Sequence, residues 1–498
     1  MIRNFLYLCG RKIAGKGKRK DIILKKRLFL YLVLLIAGSL LYHSCKNVAP
    51  VGNAGPDLDE IKERGRLIAV TDYNSTNYFL YRGEPMGFHY ELLKAFTDHI
   101  GVDLEIKPEN SLKNAFRMLN SGEVDLLAMA LTVNESRKKE LVFSEAIDET
   151  RQVLVQRRPD NWRSMTMDAV EKTLVRNQLS LGGKTVYVQE ASVHAERINS
   201  LASEIGDHIT VIEVPYEMEQ LIKMVSKGEI ELAVVDENVA QVNSTYYTDI
   251  DVSTPVSFPQ KIAWGMRKEN SEMLQSELNE WIKSYRSTRA YAILYAKYYR
   301  NPRSSAIVKS DYYTISTGRV SPWDDMIKKY SENINWDWRL LASLIYQESR
   351  FRPDVVSWAG AYGLMQVLPS TGANFGIDIT SSPQNNIKAG TMFINWLHSI
   401  FDSKIADEEE RLKFILASYN AGPGHVLDAM VLAEKNGMDP QKWDDNVAVW
   451  LQKKSEPQYY NDADVKNGYF RGKESIAFVT QILDRYLHYR NIIPPAEN

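Results

Sequence analysis

Glu348 ends an apolar stripe made by Trp338, Leu341 and Ile345, so a helix through this segment turns its carboxyl toward the buried side. Ser349-Arg350-Phe351-Arg352-Pro353 follows. A residue before proline leaves helical geometry, which puts Glu348 close to the helix C-terminus. There the negative end of the helix dipole disfavours a carboxylate, and burial acts in the same direction. Both effects keep the proton on the carboxyl near neutral pH, the state a general acid needs. The alternative is a carboxylate turned to solvent or paired with Arg350 or Arg352.

Two further segments accompany it. Gly360-Ala361-Tyr362-Gly363-Leu364-Met365-Gln366-Val367-Leu368-Pro369 comes shortly after, and Ser418-Tyr419-Asn420-Ala421-Gly422 closes an amphipathic helix in which Leu412, Ile415 and Tyr419 share a face. Gln366 and Asn420 can each donate and accept, which suits hydroxyl and acetamido groups. Tyr419 and Met365 can supply apolar walls for a sugar face. Alone, Tyr-Asn-Ala-Gly is also an ordinary helix end with a glycine stop. The ordered set is far more specific than any of its parts.

Glu348-Ser349, Gly363-Leu364-Met365-Gln366 and Tyr419-Asn420-Ala421-Gly422, in that order, resemble the signature of lytic transglycosylases of the lysozyme-like superfamily. The resemblance covers roughly 321–490. It implies cleavage of the MurNAc–GlcNAc β-1,4 bond of peptidoglycan without water, leaving a 1,6-anhydromuramoyl end. It makes Glu348 the catalytic acid/base and Gln366 and Asn420 sugar-binding residues. One departure stands out. The family often carries a tyrosine in a late Glu-x-x-x-Tyr-Val motif, whereas Glu474-Ser475-Ile476-Ala477-Phe478-Val479 has Phe478. A phenyl ring cannot hydrogen-bond Glu348, so either Tyr419, Tyr459 or Tyr460 takes that place or activity is reduced. No second acid accompanies the motif residues, whereas ordinary glycosidases use two carboxylates. With one, the substrate's own 2-acetamido group would attack the anomeric carbon.

The N-terminal half reads differently. Leu67–Val70, Leu104–Lys107 and Val124–Met129 are strand-like and alternate with helices at Tyr90–His99 and from a Ser111 cap to Leu119. A second such set comprises Thr185–Val188, Val211–Val214, a helix over Met218–Lys227, and Leu232–Val235. This order predicts parallel sheets in two α/β lobes with a ligand cleft between them. Leu131-Thr132-Val133-Asn134-Glu135-Ser136-Arg137-Lys138, Gly87-Phe88-His89 and Val234-Val235-Asp236 resemble the amino-acid-binding family of periplasmic solute-binding proteins over about 57–300. The resemblance implies that Arg137 holds a ligand carboxylate in a two-pronged ion pair and Asp236 takes the ammonium. Thr132 and Ser192 would add hydrogen bonds. Many members have Gly-Phe-Asp where His89 stands here. The alternative for Arg137 is a surface residue in a basic run with Lys138 and Lys139.

Lys25-Lys26-Arg27 precedes an apolar run, Leu28–Tyr42, and then Cys45. The run is short for a membrane span and fits the apolar part of a secretory signal. Cys45 resembles the acylated residue of a lipoprotein signal; the alternative is an uncleaved anchor. Both place the body outside the cytoplasmic membrane and tethered to a bilayer, an outer-membrane lipoprotein in the first case.

Residues 1–45 carry ten of the 61 Lys/Arg and one of the 63 Asp/Glu, leaving the rest at a balance of −11, which argues against nucleic acid as a partner. Both cysteines, Cys9 and Cys45, lie in this leader, so the body can form no thiolate metal site; neither metal nor cofactor is expected. Gly183-Lys184-Thr185 lacks the earlier glycine of a phosphate loop, that position being Gln178.

The expected organisation is therefore multidomain: signal segment 1–45, spacer 46–56, a two-lobed α/β periplasmic-binding-protein-like domain 57–300, linker 301–320, a mainly α lysozyme-like domain 321–490, and tail 491–498. Peptidoglycan strands and an amino acid or muropeptide ligand are the expected partners. The pairing resembles a known class of membrane-bound lytic transglycosylases and implies a sensor joined to an enzyme. A pure envelope binding protein and a hydrolytic muramidase are the rival readings.

Overall fold

The structure, a computed structural model, describes residues 55–300 and 304–493. The leader with Cys45, the spacer up to residue 54 and the tail from 494 lie outside the described residues. Among those described, no helix is long and apolar enough to cross a membrane.

The N-terminal α/β domain holds thirteen strands: β1 (Arg66–Thr71), β2 (Phe79–Tyr81), β3 (Glu84–Met86), β4 (Asp103–Pro108), β5 (Leu126–Thr132), β6 (Val142–Phe143), β7 (Asp148–Thr150), β8 (Gln152–Arg157), β9 (Thr185–Gln189), β10 (Thr210–Val214), β11 (Leu232–Asp236), β12 (Ile250–Pro255) and β13 (Gln260–Met266). The first lobe's sheet runs β4-β1-β5-β13-β6, with β7 also on β13; the second runs β10-β9-β11-β8-β12. In each, the strands linked by helices are parallel, as the β-α-β pattern predicts. The chain passes between lobes twice, from β7 to β8 and from β12 to β13. The strands that follow these crossings, β8 and β13, pair antiparallel with β11 and β5 respectively.

Two helices of the first lobe matter below. Helix α1 (Phe88–Ile100) buries Phe88, Leu92, Leu93 and Phe96 and ends on left-handed Gly101. Helix α2 (Leu112–Asn120) is capped by the Ser111 hydroxyl, which accepts from the Asn114 amide. In the second lobe α3 (Met218–Lys227) packs Leu221, Ile222 and Val225 on the sheet.

Residues 304–320 do more than connect. Tyr313 is buried beneath Phe79, and its backbone bridges Tyr81 of β2. The segment expected as a linker is thus partly built into the first lobe.

The C-terminal domain is helical: α4 (Asp324–Glu332), α5 (Trp338–Ser349), α6 (Pro383–Phe401), α7 (Glu408–Ala421), α8 (Pro423–Lys435) and α9 (Gly472–Ile492) form its frame. Ser321 and Asp324 together organise the start of α4: the Ser321 hydroxyl accepts from the Trp323 amide (3.1 Å) and donates to Asp324, whose carboxylate accepts from the backbone amides of Val320 and Ser321. Helix α9 packs along α5 and reaches the first lobe. The Tyr489 hydroxyl donates to the Gly83 carbonyl (2.7 Å), Tyr78 and His488 share a 2.7 Å hydrogen bond, and the Asn491 amide donates to the Ile106 carbonyl. Tyr78, Phe79 and Phe88 of the first lobe belong to one continuous apolar core with Leu341, Ile345 and Phe351.

Candidate active site

Helix α5 begins on an Asp337 cap and buries Leu341 and Ile345 completely. Glu348 is its penultimate residue. Arg350 (φ 52°) and Phe351 (φ 61°) then adopt left-handed backbone in succession, which turns the chain sharply away. The Ser349 hydroxyl donates to the carbonyls of Ile345 and, at 2.8 Å, Leu364, tying the helix end to the Gly363–Gln366 turn. Asn386 on α6 braces that turn from below: its side chain accepts from the Met365 amide and donates to the Tyr362 carbonyl. Gly363 is left-handed (φ 80°), and a Cβ there would strike the Asn386 amide, so this position requires glycine.

Around this frame lies a cleft of about 570 Å³, with Glu348, Gln366, Tyr419, Asn420, Glu474 and Ser475 in its wall. Tyr419 and Asn420 arrive from the last turn of α7, and Ser475 from the first turn of α9. The Tyr419 hydroxyl donates to the Met365 carbonyl (2.7 Å). Ser475 donates to the Asn420 side-chain oxygen (2.6 Å), which leaves the Asn420 amide nitrogen without an acceptor among the described residues and able to donate into the cleft. The Gln366 amide nitrogen is spent on the Val355 and Gly363 carbonyls, so its oxygen is the group offered to a ligand.

Glu348 is partly buried and has no hydrogen bond or ion pair to Arg350, Arg352 or any other described residue. Burial alone pushes its carboxyl up from 4.5 to about 8. The Tyr419 phenol, next to it, is raised well above its ordinary value by burial and then by the Glu348 charge. Glu348 is therefore a protonated acid at pH 7, beside a phenol that stays protonated too.

Four of the five residues expected at this site share the cleft wall: Glu348, Gln366, Tyr419 and Asn420. Met365 does not. Its side chain is completely buried against Gly390, because the turn directs Gln366 outward and its neighbour inward; only its carbonyl serves the site. Phe478 points into the core, one helical turn below Ser475, and does not line the cleft. Of the three tyrosines considered, Tyr419 adjoins Glu348, whereas Tyr459 packs on Trp450 and Tyr460 on Tyr469. Sequence reasoning missed Ser475, although it lies inside the late motif, and also Glu474, an exposed second acid at the cleft rim.

The N-terminal domain has its own cavity between the lobes. Thr132 at the end of β5, Arg137, Ser192 and Asp236 at the end of β11 all line it, as do Asp72, Gln189, His194 and Glu217, which the motifs did not single out. Arg137 is buried, donates to the Thr132 and Ala191 carbonyls, and lies over the Phe116 ring, so it is no surface residue. Asp236 faces His194 at 3.2 Å. Burial raises the Asp72 carboxyl to about 6 against the hydrogen bonds from Asn74 and Asn77. The lobes are closed directly on each other through Ser75–Glu219, Asn110–Gln189 and Asn134–Glu196. The space left is about 30 Å³, room for a water or two. His89 is not in this cavity; its ring nitrogen accepts from the Trp264 indole (2.8 Å) inside the first lobe.

Comparison with known proteins agrees with this division. Residues 66–301 match the family of bacterial extracellular solute-binding proteins, family 3, and residues 325–441 match the transglycosylase SLT domain. A membrane-bound lytic murein transglycosylase F of Desulfosudis oleivorans is 33% identical over 431 residues, covering 86% of this chain and 91% of that protein. Proteins of the same description from Pseudomonas fluorescens (31% identical, 86% of this chain, 85% of that one) and Vibrio cholerae (29%, 88% and 81%) align over similar lengths. Among solved structures, holo ArgBP from T. maritima aligns with 48% of this chain and 97% of its own at 22% identity and a TM-score of 0.40. AbpA, an amino acid ABC transporter substrate-binding protein from Streptococcus pneumoniae, aligns with 50% and 99% at 19% identity and a TM-score of 0.41. With a two-lobed α/β domain ahead of a helical domain that gathers one protonated glutamate, a glutamine, a tyrosine and an asparagine in a single cleft, the chain belongs to the membrane-bound lytic murein transglycosylase F family.

Proposed function

We propose that this chain cleaves the MurNAc–GlcNAc β-1,4 bond of peptidoglycan without water and releases 1,6-anhydromuramoyl ends, with Glu348 as the acid and then the base. The observation that carries this reading is a partly buried carboxyl, unpaired among the described residues and held uncharged by burial, in a cleft wall beside Gln366, Tyr419 and Asn420, with the charged Arg471 and Glu474 exposed at the rim. Glu348 gives its proton to the leaving glycosidic oxygen as the bond breaks. The substrate's 2-acetamido oxygen closes on the anomeric carbon and takes up the developing positive charge. The carboxylate so formed removes the proton from the sugar's 6-hydroxyl, whose oxygen then displaces the acetamido group and restores the acid. Asn420, Gln366 and Tyr419 would hold the sugar for these steps.

Glu474 favours one second reading, a hydrolytic muramidase, because it supplies another carboxyl at the same cleft. Its exposure at the rim speaks against it, since a water activated there competes with bulk solvent. Mass spectrometry of peptidoglycan digested by the full chain separates the readings. Products one water lighter than reducing muropeptides are expected; reducing ends would establish hydrolysis, and no release would leave a binding protein.

The N-terminal cavity is proposed to take an amino acid or a muropeptide fragment through Arg137, Asp236, Thr132 and Ser192, and to modulate the cleft. Equal rates of glycan release with and without a bound muropeptide would refute that modulation. The leader and Cys45 are proposed to export and lipidate the chain, on the strength of the Lys25–Cys45 pattern.

A further inference from the structure

Trp358 is wholly exposed, at 101% of the reference accessibility, yet it lies in the wall of the Glu348 cleft. A single exposed side chain would mean little, but Leu368 is exposed in the same cleft wall, and two such groups beside a cavity make an apolar surface that a ligand can cover. Its setting is rigid. The Ser357 amide donates to the Ala361 carbonyl (2.9 Å), the Gly360 amide to the Ser357 carbonyl (3.0 Å), and the Ala361 amide to the Ser357 hydroxyl (3.0 Å). Below this tight turn, Val356 pairs with Tyr362 and Tyr362 with Val367. The Gln366 amide then pins the strand entering the turn through the Val355 carbonyl. The same short hairpin thus presents Trp358 at its tip and Gln366 at its base, both toward one cleft.

We infer that Trp358 is a substrate-binding platform on which one pyranose ring of the glycan strand stacks, and that it sets affinity for the strand rather than the rate of bond cleavage. The apolar C–H face of a sugar ring covers an indole well, and the fixed turn means little conformational freedom is lost on binding. Nothing at Trp358 ionises or touches Glu348, so the ring contributes to binding ground state and transition state alike. Leu368, in the same cleft wall, is also exposed and adds to the apolar surface.

This assignment rests on reading the cleft as a glycan site, and the test separates the two. Full-length wild type, Trp358→Ala and Trp358→Phe are assayed on peptidoglycan and on glycan strands stripped of stem peptides. Binding of the stripped strands is also measured in a Glu348→Gln background. Trp358→Ala is expected to raise KM about tenfold, the loss expected from roughly one ring face of apolar contact, with kcat within about twofold. Trp358→Phe keeps most of the affinity. In the Glu348→Gln background the stripped strands bind about tenfold more weakly without Trp358. An unchanged KM and affinity overturn the platform. A loss confined to peptide-bearing substrate also overturns it, because the ring would then contact the stem peptide. If wild type releases no product but the binding difference persists, the catalytic reading fails and the platform stands.

Discussion

Replacing Glu348 by glutamine should make the protein more stable while abolishing turnover, and the gain should depend on pH. In the folded chain the carboxyl titrates at about 8 and in the unfolded chain near 4.5. Between those values the folded state holds a proton that the unfolded state releases, so wild-type stability falls as pH rises through that window. The cost is absent below the unfolded value and complete above the folded one. At about 1.4 kcal/mol per pH unit, the ceiling is about 3 kcal/mol at pH 7 and under about 1 kcal/mol at pH 5. The carboxyl keeps one side open to the cleft, so roughly half of that ceiling is expected. Glutamine cannot ionise and escapes the cost. Thermal denaturation of both proteins from pH 5 to pH 8.5 reads this directly. For a chain of this length the variant's midpoint should rise by about 1–2 °C at pH 8 and by little at pH 5. An equal difference at every pH, or a less stable variant at pH 8, would refute the burial argument. The same proton governs activity: kcat/KM should decline above about pH 8, about tenfold per unit, rather than from pH 5.

Two other perturbations test neighbouring links. Ser475→Ala leaves Asn420 without the hydroxyl that orients it, so KM for glycan should rise several-fold while the pH limb set by Glu348 stays in place; a shifted limb would mean that Ser475 acts on the acid instead. Tyr489→Phe orphans the buried Gly83 carbonyl at the contact between the helical domain and the first lobe and should cost about 1–3 kcal/mol in urea denaturation; no loss would mean that contact is not held by this bond.

The sequence was most legible where periodicity and burial coincide. Helix α5, α3 and the parallel strands β1, β4, β9 and β11 each announce themselves by an apolar pattern of the right period. The antiparallel strands β6, β7, β12 and β13 do not, because they are short or irregular and their partners lie far away in sequence. In the cleft, Glu348 and Asn420 were visible because motif and helix phase agreed. Met365 was misjudged because a turn, unlike a helix, does not say which of two neighbours faces out. Asn386 and Ser475 are supports whose partners come from other elements, and no local pattern encodes that. The same holds for Glu217, which only the meeting of the two lobes brings into the cavity that Arg137 lines.

The apolar core that runs unbroken from Phe88 through Tyr78 to Ile345 has a practical corollary. Each half covers part of the other's apolar surface. A fragment cut near residue 310 would bare Tyr489, Tyr346 and Phe351 on one piece and Phe79 and Tyr78 on the other, and both pieces would tend to aggregate. Shuffling the catalytic half onto a different receptor would therefore demand a matching seam as well as a connecting loop, which ties the inheritance of the two halves together.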